Sequence, residues 1–181
     1  EPYWVFYMLA FFNNYNINDG LSQSSVNSIV QDDNGGLWIG TQDGLNRFNG
    51  NTFEIFNSDE TEGIESPFIN ASVKTDDGKL WFGSRNGLTL FDPNTEKFHT
   101  YTIDKKKILD IQDISISLNK ELCIATLGYG VVKFNPNDKS FKVLDWPGGP
   151  KKISLISSCK DAKYLFYTED HKLFLYNSRT D

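Results

Sequence analysis

Short alternations of apolar and polar residues, each of strand length, run along most of this chain in sets of four. The first set is Val26–Gln31, Leu37–Thr41, Leu45–Phe48 and Thr52–Phe56. Between its members lie Asp32-Asp33-Asn34-Gly35, Gln42-Asp43-Gly44 and Asn49-Gly50, residue types that tight hairpins need. A period of two, rich in β-branched and aromatic residues, predicts antiparallel strands, lettered a to d within a set. No window carries a sustained helical period with caps.

The set repeats. Residues 36–48 (GLWIGTQDGLNRF) and 79–91 (KLWFGSRNGLTLF) align at Trp38/Trp81, Gly40/Gly83, Gly44/Gly87, Leu45/Leu88 and Phe48/Phe91, each pair 43 residues apart. Four strands in roughly 40–45 residues is the spacing of a propeller blade. A third copy has Leu122–Thr126 and Gly130–Phe134 as strands b and c, with Cys123 in the tryptophan position and Phe134 matching Phe91. A fourth begins near Ile153, with Tyr164–Thr168 and Lys172–Tyr176 as strands b and c. The expected fold is all-β: propeller blades of four antiparallel strands at about 26–56, 69–101, 111–143 and 153–176, within a propeller segment 12–181. Phe11–Ile17 is strand-like, and Phe12-x-x-Tyr15 matches Phe53-x-x-Phe56 and Phe98-x-x-Tyr101, so the chain is expected to enter on a last-strand element. The polar stretch Asn57–Pro67 is expected to be a surface loop. Either the leading strand completes blade four and closes a four-bladed ring, or the chain is part of a larger ring, which the uncapped ends favour.

Residues 1–11 form an apolar lead; the run Tyr3–Phe12 is too short to cross a bilayer as a helix. It reads as the remnant of a secretory signal core, an extra buried strand, or a lead foreign to the mature protein. With a net charge of −6 the chain lacks an overall basic balance, and the one basic cluster, Lys105-Lys106-Lys107, is too short to supply the basic face that nucleic-acid contact requires, so none is expected from this segment. Cys123 and Cys159 are not expected to pair: the first takes a core position and the second falls near a hairpin turn.

Candidate chemistry is sparse. Trp38 and Trp81 lie mid-strand at one repeat position and are expected to pack between blades. Burying one such ring removes about 150–250 Å² from water, worth at most about 4–6 kcal/mol. Gly40, Gly83, Gly44 and Gly87 bracket the b–c connection, where the backbone turns or approaches another strand. Asp32-Asp33 and Asp76-Asp77 are turn residues without calcium-loop spacing. His99 and His171 have no partner at metal-ligand spacing, so no catalytic set, metal or cofactor is expected. In a propeller the b–c and d–a loops emerge on one side. Those loops offer Asp43, Arg85, Asn86 and Tyr129, and Trp146 in the Asp145–Gly149 turn, as candidate ligand contacts. An aromatic ring with Arg and amide side chains suits a sugar.

The pattern Gly20-Leu21-Ser22 … Val26-x-x-Ile29-x-Gln31-Asp32-x-x-Gly35-x-x-Trp38-x-Gly40-Thr41-x-x-Gly44-Leu45-x-Arg47-Phe48-x-Gly50 resembles the two-component regulator propeller repeat. It is similar in particular to the N-terminal periplasmic sensor region of hybrid two-component systems in polysaccharide-degrading gut bacteria. The likeness is close over residues 12–56, clear over 69–101, weaker in blade three and only a rhythm in blade four. It implies that the chain is about half of a seven-bladed propeller. It also implies an extracytoplasmic, periplasmic sensor that binds glycan-derived oligosaccharides, forms a homodimer and signals to a histidine kinase. Membrane contact would then come only through distant parts of the protein. A protein-interaction scaffold without a small ligand is the alternative reading, and a propeller lyase a further one.

Overall fold

In the computed structural model the described residues are 13–104, 107–144, 148–159 and 163–177. They form four antiparallel sheets in sequence order. Blade one holds β1 (Val26–Gln31), β2 (Leu37–Thr41), β3 (Gly44–Phe48) and β4 (Phe53–Phe56). Blade two holds β5 (Ile69–Lys74), β6 (Leu80–Ser84), β7 (Gly87–Asp92) and β8 (Lys97–Tyr101). Blade three holds β9 (Ile111–Ile116), β10 (Leu122–Thr126), β11 (Gly130–Phe134) and β12 (Phe141–Val143). Blade four has β13 (Ile153–Cys159), β14 (Lys163–Thr168) and β15 (Leu173–Asn177). The a strands β1, β5, β9 and β13 lie side by side across the sheets, so each blade runs outward from strand a.

The sheets stack because each has two apolar faces. Trp38 is fully buried and lies 4.5–6.1 Å from the rings of Phe56, Phe82, Phe91 and Phe98, the last three in blade two. Its indole nitrogen donates to Asp32 Oδ2 at 2.9 Å. The same carboxylate group accepts from the backbone nitrogens of Asn34 and Gly36, so this turn residue also anchors the core tryptophan. Trp81 repeats the arrangement one blade on, against Phe134 and with Thr75 as its acceptor.

Gly40 and Gly83 admit the neighbouring inner strand. A Cβ at Gly40 would lie 2.6 Å from Ile69 Cγ2, and one at Gly83 would lie 2.4 Å from Ile111 Cγ2. Each inner strand is also interrupted at the same place, between Val26 and Ser28, Ile69 and Ala71, Ile111 and Asp113, and Ile153 and Leu155. Such bulges re-aim a side chain. At two of them the extra residue is an asparagine: Asn27 donates to Ile69 O at 2.9 Å and Asn70 to Ile111 O at 2.8 Å.

Two expectations are corrected. Asn13–Asn16 form no strand, and Ile17–Asp19 is a 3-10 turn capped by the Asn16 side chain. The aromatic rhythm at Tyr15 reflects packing on Phe48 and Phe53, at 4.7 and 6.0 Å, rather than strand pairing. Phe11, Phe12 and the apolar lead lie outside the described residues. The Asn57–Pro67 stretch is not all surface: Ile64 is 4% exposed and joins the core between blades one and two.

Candidate functional site

A hydroxyl ends every strand b and closes the b–c turn that follows. Thr41 Oγ1 donates to Gly44 O and accepts from the Asp43 nitrogen, both at 3.0 Å. Ser84 does the same with Gly87 and Asn86, and Thr126 with Gly130 and Tyr129. Thr168 bonds both backbone groups of Lys172. All four hydroxyl residues are buried. Gly44 and Gly87 complete the turns at positive φ, with the carbonyls of Phe56 and Tyr101 too close for a Cβ. The loop side chains therefore stand on fixed backbone.

Backbone bonds tie these turns to the strand-d-to-strand-a segments on the same side. Gly44 donates to Pro67 O, Arg85 to Phe68 O, and Gly128 and Gly130 to Lys151 O. Asp43 is exposed at the first turn. Arg85 places its guanidinium 3.6 Å from the centre of the Phe68 ring. Tyr129 is half-buried and packs against the apolar cluster shared by blades two and three, so its ring serves that junction. Trp146 lies outside the described residues, as do Lys105 and Lys106.

Asn86 lines a groove. This open cleft of about 600 Å³ wraps the loop end of β8, between Glu65, Asn86, His99, Thr102, Asp104 and Lys107, with Ile108 as an apolar flank. Asn86 Nδ2 donates to Glu65 O at 3.3 Å, and Thr100 Oγ1 to Gly63 O at 2.7 Å, fixing two of the walls. Just beyond, burial pushes the Asp110 carboxyl above its ordinary value, against the opposing effects of the Gln112 amide and the Arg85 charge. Carboxylate acceptors, an amide, a lysine and hydroxyls around one apolar flank suit a neutral polyhydroxylated ligand. Asp43 and Tyr129 are not among its walls. The sequence reading missed Glu65, His99, Thr102, Asp104, Lys107 and Ile108. For the last four the signal was available, because they follow strand d of blade two, where the d–a loop falls on the same side as Asn86.

His99 lies on β8 of blade two. His171 lies in the b–c turn of blade four, where its Nδ1 pairs with the Tyr167 hydroxyl at 2.9 Å. Among the described residues no cluster of three or more His, Cys, Asp or Glu could hold a metal ion. Burial raises the Cys123 thiol pKa, which suits an apolar core residue more than a nucleophile. No helix among the described residues is long and apolar enough to cross a membrane.

Residues 20–43 match the two component regulator propeller family model. Over 47 residues the chain is 55% identical to histidine kinase P4 of Formosa agariphila, a match covering 26% of this chain and 3% of that protein. The fold superposes with TM-score 0.84 and 22% identity on the extracellular domain of a hybrid two component system of B. thetaiotaomicron, over 93% of this chain and 25% of that one. It superposes with TM-score 0.58 and 13% identity on virginiamycin B lyase of Staphylococcus aureus, over 86% of this chain and 56% of the lyase. At these identities the two structures establish the propeller fold. The chain spans about a quarter of the first structure's length and a small fraction of the kinase.

Proposed function

We propose that this chain is a propeller segment of an extracytoplasmic sensor in a hybrid two-component regulator, responding to glycan-derived oligosaccharides and signalling to a histidine kinase. The regulator propeller repeat at residues 20–43 carries the reading. The likeness to an extracellular domain of a hybrid two component system supports it. In the intact sensor, which we take to be a periplasmic homodimer, the signal is a shift between two arrangements that ligand binds unequally. The groove beside Asn86 is the contact we assign to the ligand, whose hydroxyls would bond with Asn86 and Thr102, donate to the Asp104 carboxylate and accept from the Lys107 ammonium. The segment binds rather than catalyses, since its likeness to a lyase extends to the fold alone.

Calorimetric titration of the full-length protein against a panel of plant- and host-derived oligosaccharides tests this. One member of the panel should bind, and Asn86→Ala with Lys107→Ala should weaken it about tenfold or more, as expected for lost hydrogen bonds to a bound sugar. Binding unchanged in the double variant removes the groove, and no binding across the panel removes the oligosaccharide reading.

A further inference from the structure

Residues 57–68 join strand d of blade one to strand a of blade two, a longer connection than 102–110 or 144–152 at the next two junctions. The extra length is held in place. The Asn57 side chain accepts from the nitrogens of Asp59 and Glu60. Thr61 donates to Asn57 O and Ile64 to Thr61 O, and the Ile64 side chain is buried in the core between the two blades. A compact loop of this length, bonded to itself and packed by its own side chain, is a fixed surface rather than a tether.

The loop crosses β8, the outermost strand of blade two, at Gly63. Thr100 Oγ1 donates to Gly63 O at 2.7 Å. Gly63 has φ +91°, and a Cβ there would lie 2.1 Å from Phe98 O, so only glycine lets the chain lie this flat on the strand. A cavity opens on either side of the crossing. Towards the b–c turn is the groove beside Asn86, with Glu65 in its wall. On the other side a second cavity of about 730 Å³ lies between β8 and β4, the outermost strand of blade one. Its walls include Ile55, Phe56, Glu60, Glu62, Glu96 and Lys97, and Ile55 is 46% exposed. His99 borders both cavities, and the one loop supplies a wall to each.

We infer that the two cavities are one continuous site, which takes an extended oligosaccharide running across β8 from the Asn86 groove to the rim between β4 and β8. The inference rests on the oligosaccharide reading above and adds a second subsite to it. Both ends offer the same chemistry, an exposed isoleucine beside carboxylates: Ile108 with Glu65 and Asp104, and Ile55 with Glu60, Glu62 and Glu96. At the rim a sugar ring lays its apolar face on Ile55 while its hydroxyls donate to the surrounding carboxylates. Each cavity has the volume of a drug-sized ligand, roughly two sugar rings, so about four rings fill the site. The loop is already ordered by its own bonds, so the second subsite adds affinity without the cost of fixing a mobile wall.

Calorimetric titration of the full-length protein with a size series of each panel oligosaccharide, from disaccharide to hexasaccharide, tests this. Affinity should rise about tenfold or more between disaccharide and tetrasaccharide and change little beyond. Ile55→Ala with Glu62→Ala should remove most of that rise and leave the disaccharide unaffected, whereas Asn86→Ala should weaken every length. Both rim positions are exposed, so the double variant keeps its fold. Equal affinity at all lengths overturns the continuous site and leaves the Asn86 groove. A rim variant that weakens the disaccharide as much as the tetrasaccharide acts through the loop's fold and overturns it as well. No binding at any length removes the oligosaccharide reading itself, and this inference with it.

Discussion

The first two blade junctions and the third solve one packing problem with different residues. Between blades one and two, and two and three, a buried tryptophan fills the middle of the interface and a glycine admits an isoleucine. A bulged asparagine ties the inner strands together. Between blades three and four the tryptophan is Cys123 and the glycine is Ala125. The equivalent bulge residue, Gln112, turns its amide to Asp110 instead of the next blade. The tie passes to Asp113, whose Oδ2 accepts from the Ile156 nitrogen at 2.9 Å. Tyr164, Phe166, Phe174 and Tyr176 of blade four supply the lost aromatic bulk from the other side. The junction is thus a volume and a set of backbone ties, and the familiar motif is one way to meet both.

The comparison is broken most sharply at the tryptophan position. In urea denaturation of the full-length protein, Trp38→Ala should cost about 3–5 kcal/mol, while Cys123→Ala should cost about 1 kcal/mol. Equal losses would mean that the third junction has no independent source of bulk. Next comes the slot. Gly83→Ala should cost about 1–3 kcal/mol because Ile111 has nowhere to go, whereas the third junction already holds that methyl as Ala125. A tolerated Gly83→Ala would show that the glycine is not there for close approach. Smaller again, Asn70→Ala should cost about 1 kcal/mol by leaving Ile111 O without its donor, and Gln112→Ala should stay within about 0.5 kcal/mol.

The smallest effect is a pH dependence confined to the third junction. Burial holds the Asp113 carboxyl above the ordinary value of 3.8, despite the hydrogen bonds it accepts from Ile156 and Ile114. The folded chain therefore keeps a proton there that the unfolded chain releases. Asp113 lowers stability progressively as pH rises from the ordinary value through the raised one, and its contribution is level above that. Asp113→Asn, which keeps an acceptor for Ile156, should remove this slope from unfolding curves taken across that range. A slope that persists in Asp113→Asn places its origin elsewhere.

Strands and turns were legible in the sequence because a two-residue alternation bounded by Gly, Asn and Asp has few other outcomes. The repeat also exposed the pairings Trp38/Trp81 and Gly40/Gly83 directly. What sequence reading missed depended on contacts between blades. Asn27 and Asn70 recur 43 residues apart, yet a short polar residue in a strand does not announce that it bonds to the next blade. The Tyr15 rhythm misled because aromatic spacing was read as strand pairing, while Asn16 caps a turn. Of the candidate site, Asn86 was legible as a loop residue on the correct side. Its groove was legible only in part: Asp104 lies in the d–a loop on that side, while Glu65 and His99 meet Asn86 only through the fold.

If strand residues hold the ring and loop residues recognise the proposed ligand, one paired experiment separates the two. The oligosaccharide selected by the titration panel is titrated into full-length protein carrying either Trp38→Phe or Asn86→Ala, and both variants are melted. Trp38→Phe should lower the unfolding midpoint and leave affinity unchanged, and Asn86→Ala should lower affinity several-fold with the midpoint unchanged. Affinity lost in Trp38→Phe at a temperature where the variant is fully folded, with Asn86→Ala binding normally, would contradict this division of roles.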